Sequence, residues 1–270
     1  MGRRRHRPSR KKNRQTRRRG IYVLPNLFTT ASLFAGFFAM MEAISGHYTL
    51  ASLAILCALV FDGLDGKIAR ATNTVSRFGV EYDSLSDLVA FGVAPAVLVY
   101  MWGLQSLERL GFVAAFLFTA CGALRLARFN VQVDQVGTSH FVGLPIPAAA
   151  SFIATSVLAW QQVFPQGPSN VWPVVIMVFV LSFLMVSTIP YLSFKRLGLA
   201  QLRSFNALVA GLLLFVLVVI QPQIMGLVLI AAYVVGGPFA ERVLAKKRAA
   251  KELAEQELQQ DAAEERLHLS

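Results

Sequence analysis

The part of this sequence that can do chemistry is a cluster of acidic side chains between positions 62 and 87. Only eight acidic residues occur before position 241, and five of them lie in this window. Asp62 and Asp65 are three positions apart, and Asp83 and Asp87 are four apart. At these spacings each pair occupies one face of a helix. If the chain folds back between the pairs, the four carboxylates converge.

Four converging carboxylates in a medium of low dielectric repel one another, so they must either take up protons or bind cations. Two divalent ions supply the compensating charge. Oxygen ligands suit Mg²⁺ or Mn²⁺, whereas Zn²⁺ prefers His or Cys ligands, which this window lacks. Asp62 is expected inside a membrane span, where ionisable groups are costly and usually functional. The sequence therefore predicts a site for two Mg²⁺ or Mn²⁺ ions.

The same window carries a longer pattern. It reads D-x-x-D-G-x-x-A-R, then eight residues, then G-x-x-x-D-x-x-x-D, with fixed residues at Asp62, Asp65, Gly66, Ala69, Arg70, Gly79, Asp83 and Asp87. This pattern resembles the signature of the CDP-alcohol phosphatidyltransferases. The resemblance implies a membrane enzyme in which an alcohol attacks the lipid-bearing phosphorus of a CDP-linked lipid and CMP leaves.

The resemblance also implies roles for single residues. Asp62, Asp65, Asp83 and Asp87 are expected to bind the metal ions. Asp87 is in addition expected to act as the general base that takes the hydroxyl proton of the acceptor.

A second set of residues is expected at the CDP-lipid. It consists of Asn26, Thr29, Gly66, Arg70 and Gly79. The guanidinium of Arg70 is able to pair with two phosphate oxygens. For Asn26 and Thr29, capping of the first helix explains the residue types nearly as well.

The signature leaves the acceptor alcohol open among serine, glycerol phosphate, inositol phosphate and choline. Arg125 and Arg128 lie at i and i+3 near the end of a predicted span, and a Pro-containing segment from Phe141 to Ala148 follows. This region resembles the branch of the family that uses serine, so CDP-diacylglycerol and L-serine are the expected substrates. Arg125 or Arg128 is expected to bind the serine carboxylate, or the phosphate of a phosphorylated acceptor. Both would also serve as basic anchors at the cytoplasmic face.

Membrane-spanning helices must position these residues. The chain is 55% apolar and only 15% charged, more apolar than one soluble core can bury. Apolar stretches of about 20 residues, the length that crosses a bilayer, recur along it and predict an all-α, polytopic transmembrane helical bundle. The eight predicted spans are residues 21–44, 48–69, 84–104, 109–129, 145–163, 171–190, 205–220 and 223–241.

The positive charges predict the orientation of the bundle. Eleven of the 26 Lys and Arg residues lie within the first 19 positions, and with this end in the cytoplasm only Arg109 faces the other side. Both termini and the active site are therefore expected in the cytoplasm, with the chain in the bacterial inner membrane. Anionic membrane lipids are the expected partner of the basic run. Nucleic acid is not, because no aromatic residue interleaves with the arginines.

The predicted organisation is a basic cytoplasmic tail at 1–20, a transmembrane catalytic domain at 21–241 and a charged cytoplasmic helix or tail at 242–270. Cys57 and Cys121 lie in apolar spans and are expected to be buried and unpaired. The sequence does not decide whether the chain forms a homodimer. It also leaves open a different class of function, in which the carboxylates line a path for divalent cations, although the paired repeats common in transporters are not evident.

Overall fold

The computed structural model is all-helical over the residues that it describes, and no strand occurs among them. These residues are 12–72, 76–135, 143–164, 167–189, 191, 217–218 and 220–237. The side chains among them are described from residue 25 onward, except those of residues 132–135. The all-α prediction is confirmed. The predicted helix or tail at 242–270 and most of the predicted span at 205–220 lie outside the described residues.

The described helices are α1 (Lys12–Ile44), α2 (Tyr48–Ala71), α3 (Arg77–Asp87), α4 (Ala94–Val99), α5 (Arg109–Gln135), α6 (Ile146–Val163), α7 (Trp172–Val186) and α8 (Pro222–Gly237). Two π-helices, Leu88–Val93 and Tyr100–Leu104, and a short 3₁₀-helix, Gln105–Leu107, flank α4. Together with α3 and α4 they form one helical stretch, Arg77–Leu107, called here the third span.

Four helical segments are long and apolar enough to cross a membrane, namely Pro25–Ile44, Tyr48–Ala71, Arg77–Leu107 and Arg109–Val131. They coincide with the first four predicted spans, so the chain has the helices of a membrane protein. The helices α6, α7 and α8 coincide with three further predicted spans, and α7 and α8 are apolar but shorter. The number of eight spans stays a prediction.

The first helix begins earlier than predicted. Its first residue is Lys12, inside the basic run expected to be a solvated tail. Lys, Arg and Gln are good helix formers, and neither Gly nor Pro interrupts residues 12–19. The helix therefore starts at Lys12 rather than at residue 21, while the domain boundary at residue 20 stays a prediction.

Small residues let α1 pack closely against α2 and the third span. A β-carbon on Gly36 of α1 would lie 2.6 Å from the Cα of Ala90 in the third span, so only glycine permits this approach. Small residues are typical of helix interfaces in membranes. The buried alanines of α1 and α2 are Ala35, Ala39, Ala43, Ala51, Ala54 and Ala58. This packing brings the ends of α1, α2 and α3 together around the aspartates.

The third span departs from α-helical geometry directly after the aspartates. Asp87 ends α3, and Leu88–Val93 forms a π-helix. Pro95 follows at the start of α4 and has no N–H to donate to the carbonyl of Phe91, which favours a wider turn here. Turns of this type are frequent at functional sites, and this one adjoins the acidic side chains.

The two free cysteines differ in burial. Cys121 is buried as predicted, whereas Cys57 is exposed on α2. The expectation for Cys57 is wrong because a residue inside an apolar span faces either the protein core or lipid, and a uniformly apolar stretch does not distinguish the two faces.

Candidate active site

Three of the four predicted metal ligands meet where α2 and α3 face each other. Carboxylate oxygens of Asp62, Asp83 and Asp87 all lie within 4.8 Å of one another. The carboxyl groups of Asp62 and Asp87 are in hydrogen-bonding contact. All three side chains are partly buried. The two helix faces that the spacing of the aspartates predicts therefore converge.

Asp65 lies outside this group of three. It is 5% exposed, and its Oδ2 accepts a 2.8 Å hydrogen bond from the hydroxyl of Thr29 in α1. Its carboxylate also interacts with the guanidinium of Arg70 on the same helix. Asp65 still acts electrostatically on Asp62 and Asp83. The four carboxylates thus form one negatively charged region with an inner group of three.

The inner group has the chemistry of a site for a hard divalent cation. Its ligand atoms are all carboxylate oxygens, and neither His nor Cys belongs to it in the part of the chain that the structure describes. Mg²⁺ and Mn²⁺ prefer such ligands. A cation would also offset like charges that water screens poorly at membrane depth. The residues present therefore fit the predicted metals.

A cavity of about 180 Å³ opens beside the aspartates, among residues of α1, α2 and α3. Its lining residues are Pro25, Asn26, Thr29, Asp65, Gly66, Ala69, Arg70, Ser76, Gly79, Val80 and Asp83. All five residues predicted at the CDP-lipid are among them. The structure brings this set together next to two of the aspartates, and what the set binds stays a prediction.

Two glycines in the cavity wall adjoin polar side chains. A β-carbon on Gly66 would lie 3.4 Å from a terminal nitrogen of Arg70, an ordinary van der Waals contact, so the guanidinium lies beside this glycine. A β-carbon on Gly79 would lie 3.1 Å from Oγ of Ser76, which accepts a 3.0 Å hydrogen bond from the N–H of Gly79 and caps α3. Ser76 is not among the residues predicted at the site, although a serine directly before a helix is a recognised start signal.

Arg125 of α5 is a buried cation. It is 9% exposed, its guanidinium carbon lies 6.0 Å from the centre of the Phe129 ring, and its Nε has no hydrogen-bond partner among the described residues. Its charge interacts with Asp87 and with the hydroxyl of Tyr233. A buried guanidinium that has a donor to spare beside the acidic site is suited to binding an anionic group.

Arg128 has a different environment, although it lies only three residues from Arg125. Its Nη1 donates to the carbonyl oxygen of Val186 at 3.0 Å, and its Nη2 donates to those of Met185 and Ser187 at 3.5 and 3.3 Å. These carbonyls lie at the end of α7, where a cation is favourable. The structure thus separates two arginines that the sequence analysis treats as equivalent, because Arg128 anchors α7 and Arg125 interacts with the acidic site.

Two tyrosines connect α8 to this region and carry no local signal in the sequence. Tyr233 interacts with Arg125, and its ring lies 5.9 Å from that of Tyr191. The hydroxyl of Tyr191 donates to the carbonyl of Val234 at 3.2 Å. Burial raises the pKa of Tyr191 to about 12, so this hydroxyl stays a neutral donor at physiological pH. Tyr191 therefore holds α8, and with it Tyr233, beside Arg125.

Comparison with known proteins finds relatives over most of the chain. The family model described as CDP-alcohol phosphatidyltransferase matches residues 22–189, which include all four aspartates and both arginines. A Helicobacter pylori protein named CDP-diacylglycerol--serine O-phosphatidyltransferase is 41% identical over 177 residues, which cover 65% of this chain and 74% of the relative. A Mycobacterium tuberculosis protein of the same name is 35% identical over 233 residues, or 83% of this chain and 81% of the relative. An archaetidylserine synthase of Methanothermobacter thermautotrophicus is 35% identical over 171 residues, which cover 63% of this chain and 69% of the relative.

Proposed function

The chain belongs to the CDP-alcohol phosphatidyltransferase family, and we propose on that basis that it transfers the phosphatidyl group of CDP-diacylglycerol to the hydroxyl of L-serine. The serine oxygen forms a bond to the lipid-bearing phosphorus, and the bond from that phosphorus to the bridging oxygen of the pyrophosphate breaks, so CMP leaves. The names of the relatives support serine as the acceptor. The observation that carries the proposal is the convergence of Asp62, Asp83 and Asp87 within 4.8 Å, beside a cavity lined by the rest of the signature.

The cavity beside the aspartates is assigned to the nucleotide and phosphates of the CDP-lipid. Arg70 supplies a guanidinium for the phosphates, and Asn26 belongs to the wall that α1 contributes. The hydroxyl of Thr29 already bonds Asp65, so Thr29 acts there chiefly by holding that carboxylate. The glycines at 66 and 79 leave room for the ligand to approach the helix backbones.

Metal binding is assigned to Asp62, Asp65, Asp83 and Asp87, with two Mg²⁺ or Mn²⁺ ions balancing four negative charges. Bound there, the ions would supply electrostatic stabilisation of the negative charge that develops on the leaving phosphate. Asp65 and Asp83 belong both to this set and to the cavity wall, so the metal site and the nucleotide site are contiguous.

The acceptor is assigned to the region between Arg125 and Asp87. The buried guanidinium of Arg125 binds the serine carboxylate, which places the amino acid near Asp87, with which Arg125 interacts. Asp87 takes the proton of the serine hydroxyl as its oxygen attacks the phosphorus. Arg128 is the weaker candidate for the acceptor, because three carbonyl oxygens at the end of α7 already engage its guanidinium.

Eight spans with both termini in the cytoplasm would place this site at the cytoplasmic side of a bacterial inner membrane. The distribution of charge supports this orientation, because Arg70, Arg77 and Arg125 lie at the same helix ends as the aspartates. The connection from Ser45 to His47, which joins α1 to α2 at the other end, has neither lysine nor arginine. Single cysteines test this orientation when His47→Cys and Thr72→Cys are each introduced into a chain whose Cys57 and Cys121 are replaced by serine. A maleimide that cannot cross membranes should label position 47 in intact cells, and labelling of position 72 instead would reverse the topology.

The function is tested by comparing acceptors side by side. The purified chain in detergent–lipid micelles with Mg²⁺ and CDP-diacylglycerol should release CMP on addition of serine, and not on addition of glycerol 3-phosphate, inositol phosphate or choline. Release with glycerol 3-phosphate alone would keep the reaction class and overturn the acceptor. Absence of CMP release with every acceptor, together with Mg²⁺ flux in proteoliposomes, would favour a transport function.

A further inference from the structure

We propose that Ser86 is a positioning residue that, through Thr29, holds the aspartates of α2 and α3 in register for metal binding. Ser86 belongs neither to the family signature nor to the cavity wall. The inference rests on the proposed metal-dependent transfer. It concerns the arrangement of the ligands in this chain, which can be measured without any turnover.

The hydroxyl of Ser86 makes a bond that leaves its own helix. Ser86 is 1% exposed, and its Oγ donates a 3.0 Å hydrogen bond to the main-chain carbonyl of Thr29 in α1. Ser182, which is equally buried, instead bonds within its own helix, to the carbonyl of Val178 at 2.7 Å. A buried hydroxyl that crosses between helices constrains the distance between their backbones, because no water replaces the lost partner if the helices separate.

Thr29 joins the two ligand-bearing helices. Its carbonyl accepts from Ser86 of α3, and its hydroxyl donates to Oδ2 of Asp65 in α2 at 2.8 Å. Thr29 is 4% exposed, so bulk water competes with neither bond. Ser86 directly precedes Asp87, and therefore a displacement of Ser86 moves the carboxylate of Asp87 relative to that of Asp65.

Contacts further along the spans hold the bundle together without Ser86. The hydroxyl of Ser32 donates to the carbonyl of Ala58 at 3.1 Å, and Gly36 lies directly against Ala90. Loss of the Ser86 hydroxyl should therefore shift the aspartates of α3 locally and leave the helices assembled. Metal sites depend on ligand position to within about 0.5 Å, so a small shift should weaken binding.

The test is Ser86→Ala, which removes the hydroxyl with little change in volume. The purified full-length chain in detergent micelles is titrated with Mn²⁺ alone, and free Mn²⁺ is followed by electron paramagnetic resonance. We expect the Mn²⁺ dissociation constant to rise about 3- to 10-fold, which corresponds to one buried hydrogen bond. Should Ser86→Ala not purify, Ser86→Cys keeps the volume with a weaker donor, and the same rise is expected.

Two comparisons make the result specific. Ser182→Ala removes a hydroxyl of equal burial from α7, a helix that carries none of the aspartates, and should leave Mn²⁺ affinity unchanged. Thr29→Val releases Asp65 from α1, so adding Ser86→Ala to it should weaken binding by less than the product of the two single effects.

The proposal is overturned if Ser86→Ala binds Mn²⁺ as tightly as the unmodified chain, or if Ser182→Ala loses as much affinity. An unmodified chain that binds Mn²⁺ without forming phosphatidylserine would instead overturn the proposed function. In that case a weaker affinity of Ser86→Ala would still support the positioning role, so the two failures are distinguishable.

Discussion

The side-chain amide of Asn130 donates a 3.0 Å hydrogen bond to the hydroxyl of Ser84. This bond joins the end of α5 to α3 beside the aspartates. Arg125 lies on α5 and Asp87 on α3, so the bond helps to set the distance between the proposed acceptor site and the proposed general base.

Asn130→Ala should raise the KM for serine about 2- to 12-fold, the equivalent of one hydrogen bond, because α5 loses its tie to α3. The KM for CDP-diacylglycerol should change little, and initial rates at varied concentrations of each substrate measure both. Gln162→Ala is the control, because it breaks an exposed 2.7 Å contact with Gln221 at the C-terminal end of α6, a helix that carries no residue of the proposed site. An equal effect of both substitutions would contradict the assigned role.

Arg125→Ala should raise the KM for serine about 10- to 150-fold, because a charge-assisted hydrogen bond contributes about 1.5 to 3 kcal/mol. The KM for CDP-diacylglycerol should stay close to that of the unmodified chain, since its proposed contacts lie in the cavity lined by Arg70. Substrate-dependence curves in detergent–lipid micelles measure both constants. An unchanged dependence on serine would place the acceptor pocket elsewhere.

Arg128→Ala should act on stability rather than on the acceptor. It leaves the carbonyls of Met185, Val186 and Ser187 without their cation, which should cost about 1 to 3 kcal/mol. The expected result is a lower thermal unfolding midpoint in detergent with a nearly unchanged KM for serine. If the serine KM instead rises as much as in Arg125→Ala, the two arginines share the acceptor.

Asp62→Asn, Asp65→Asn and Asp83→Asn should each abolish turnover while the protein still inserts and purifies. Each removes one negative charge and one ligand from the proposed metal site. Mn²⁺ titration should show weakened binding in parallel with lost CMP release. Glu81→Gln is the control, because Glu81 lies in the same window but is exposed, and it should retain activity. Near-normal turnover in any of the three aspartate variants would count against two-metal chemistry.

The convergence of the aspartates could be predicted because helical periodicity places each pair on one face and the connection between α2 and α3 is short. The position of Asp65 could not be predicted, because its hydrogen-bond partner, Thr29, lies 36 residues earlier on α1. The approach of α1 depends on packing such as that of Gly36 against Ala90, and no local pattern encodes such a contact.

The different environments of Arg125 and Arg128 also lay beyond the sequence analysis. Both occur at i and i+3 on one helix, so periodicity and charge treat them alike. The difference arises because α7 ends beside Arg128, at carbonyls about 57 to 59 residues away in the chain. In the same way, Tyr233 reaches Arg125 from α8, and only the packing of the spans brings them together.

The most direct test of the account follows the oxygen of the serine hydroxyl. The purified chain is incubated with Mg²⁺, CDP-diacylglycerol and serine labelled with ¹⁸O in its side chain, and the lipid and nucleotide products are analysed by mass spectrometry. We predict that phosphatidylserine forms with the label retained, that CMP carries none, and that Asp87→Asn yields neither product. Label in CMP, or CMP release without labelled phosphatidylserine, would contradict attack of serine on the lipid-bearing phosphorus.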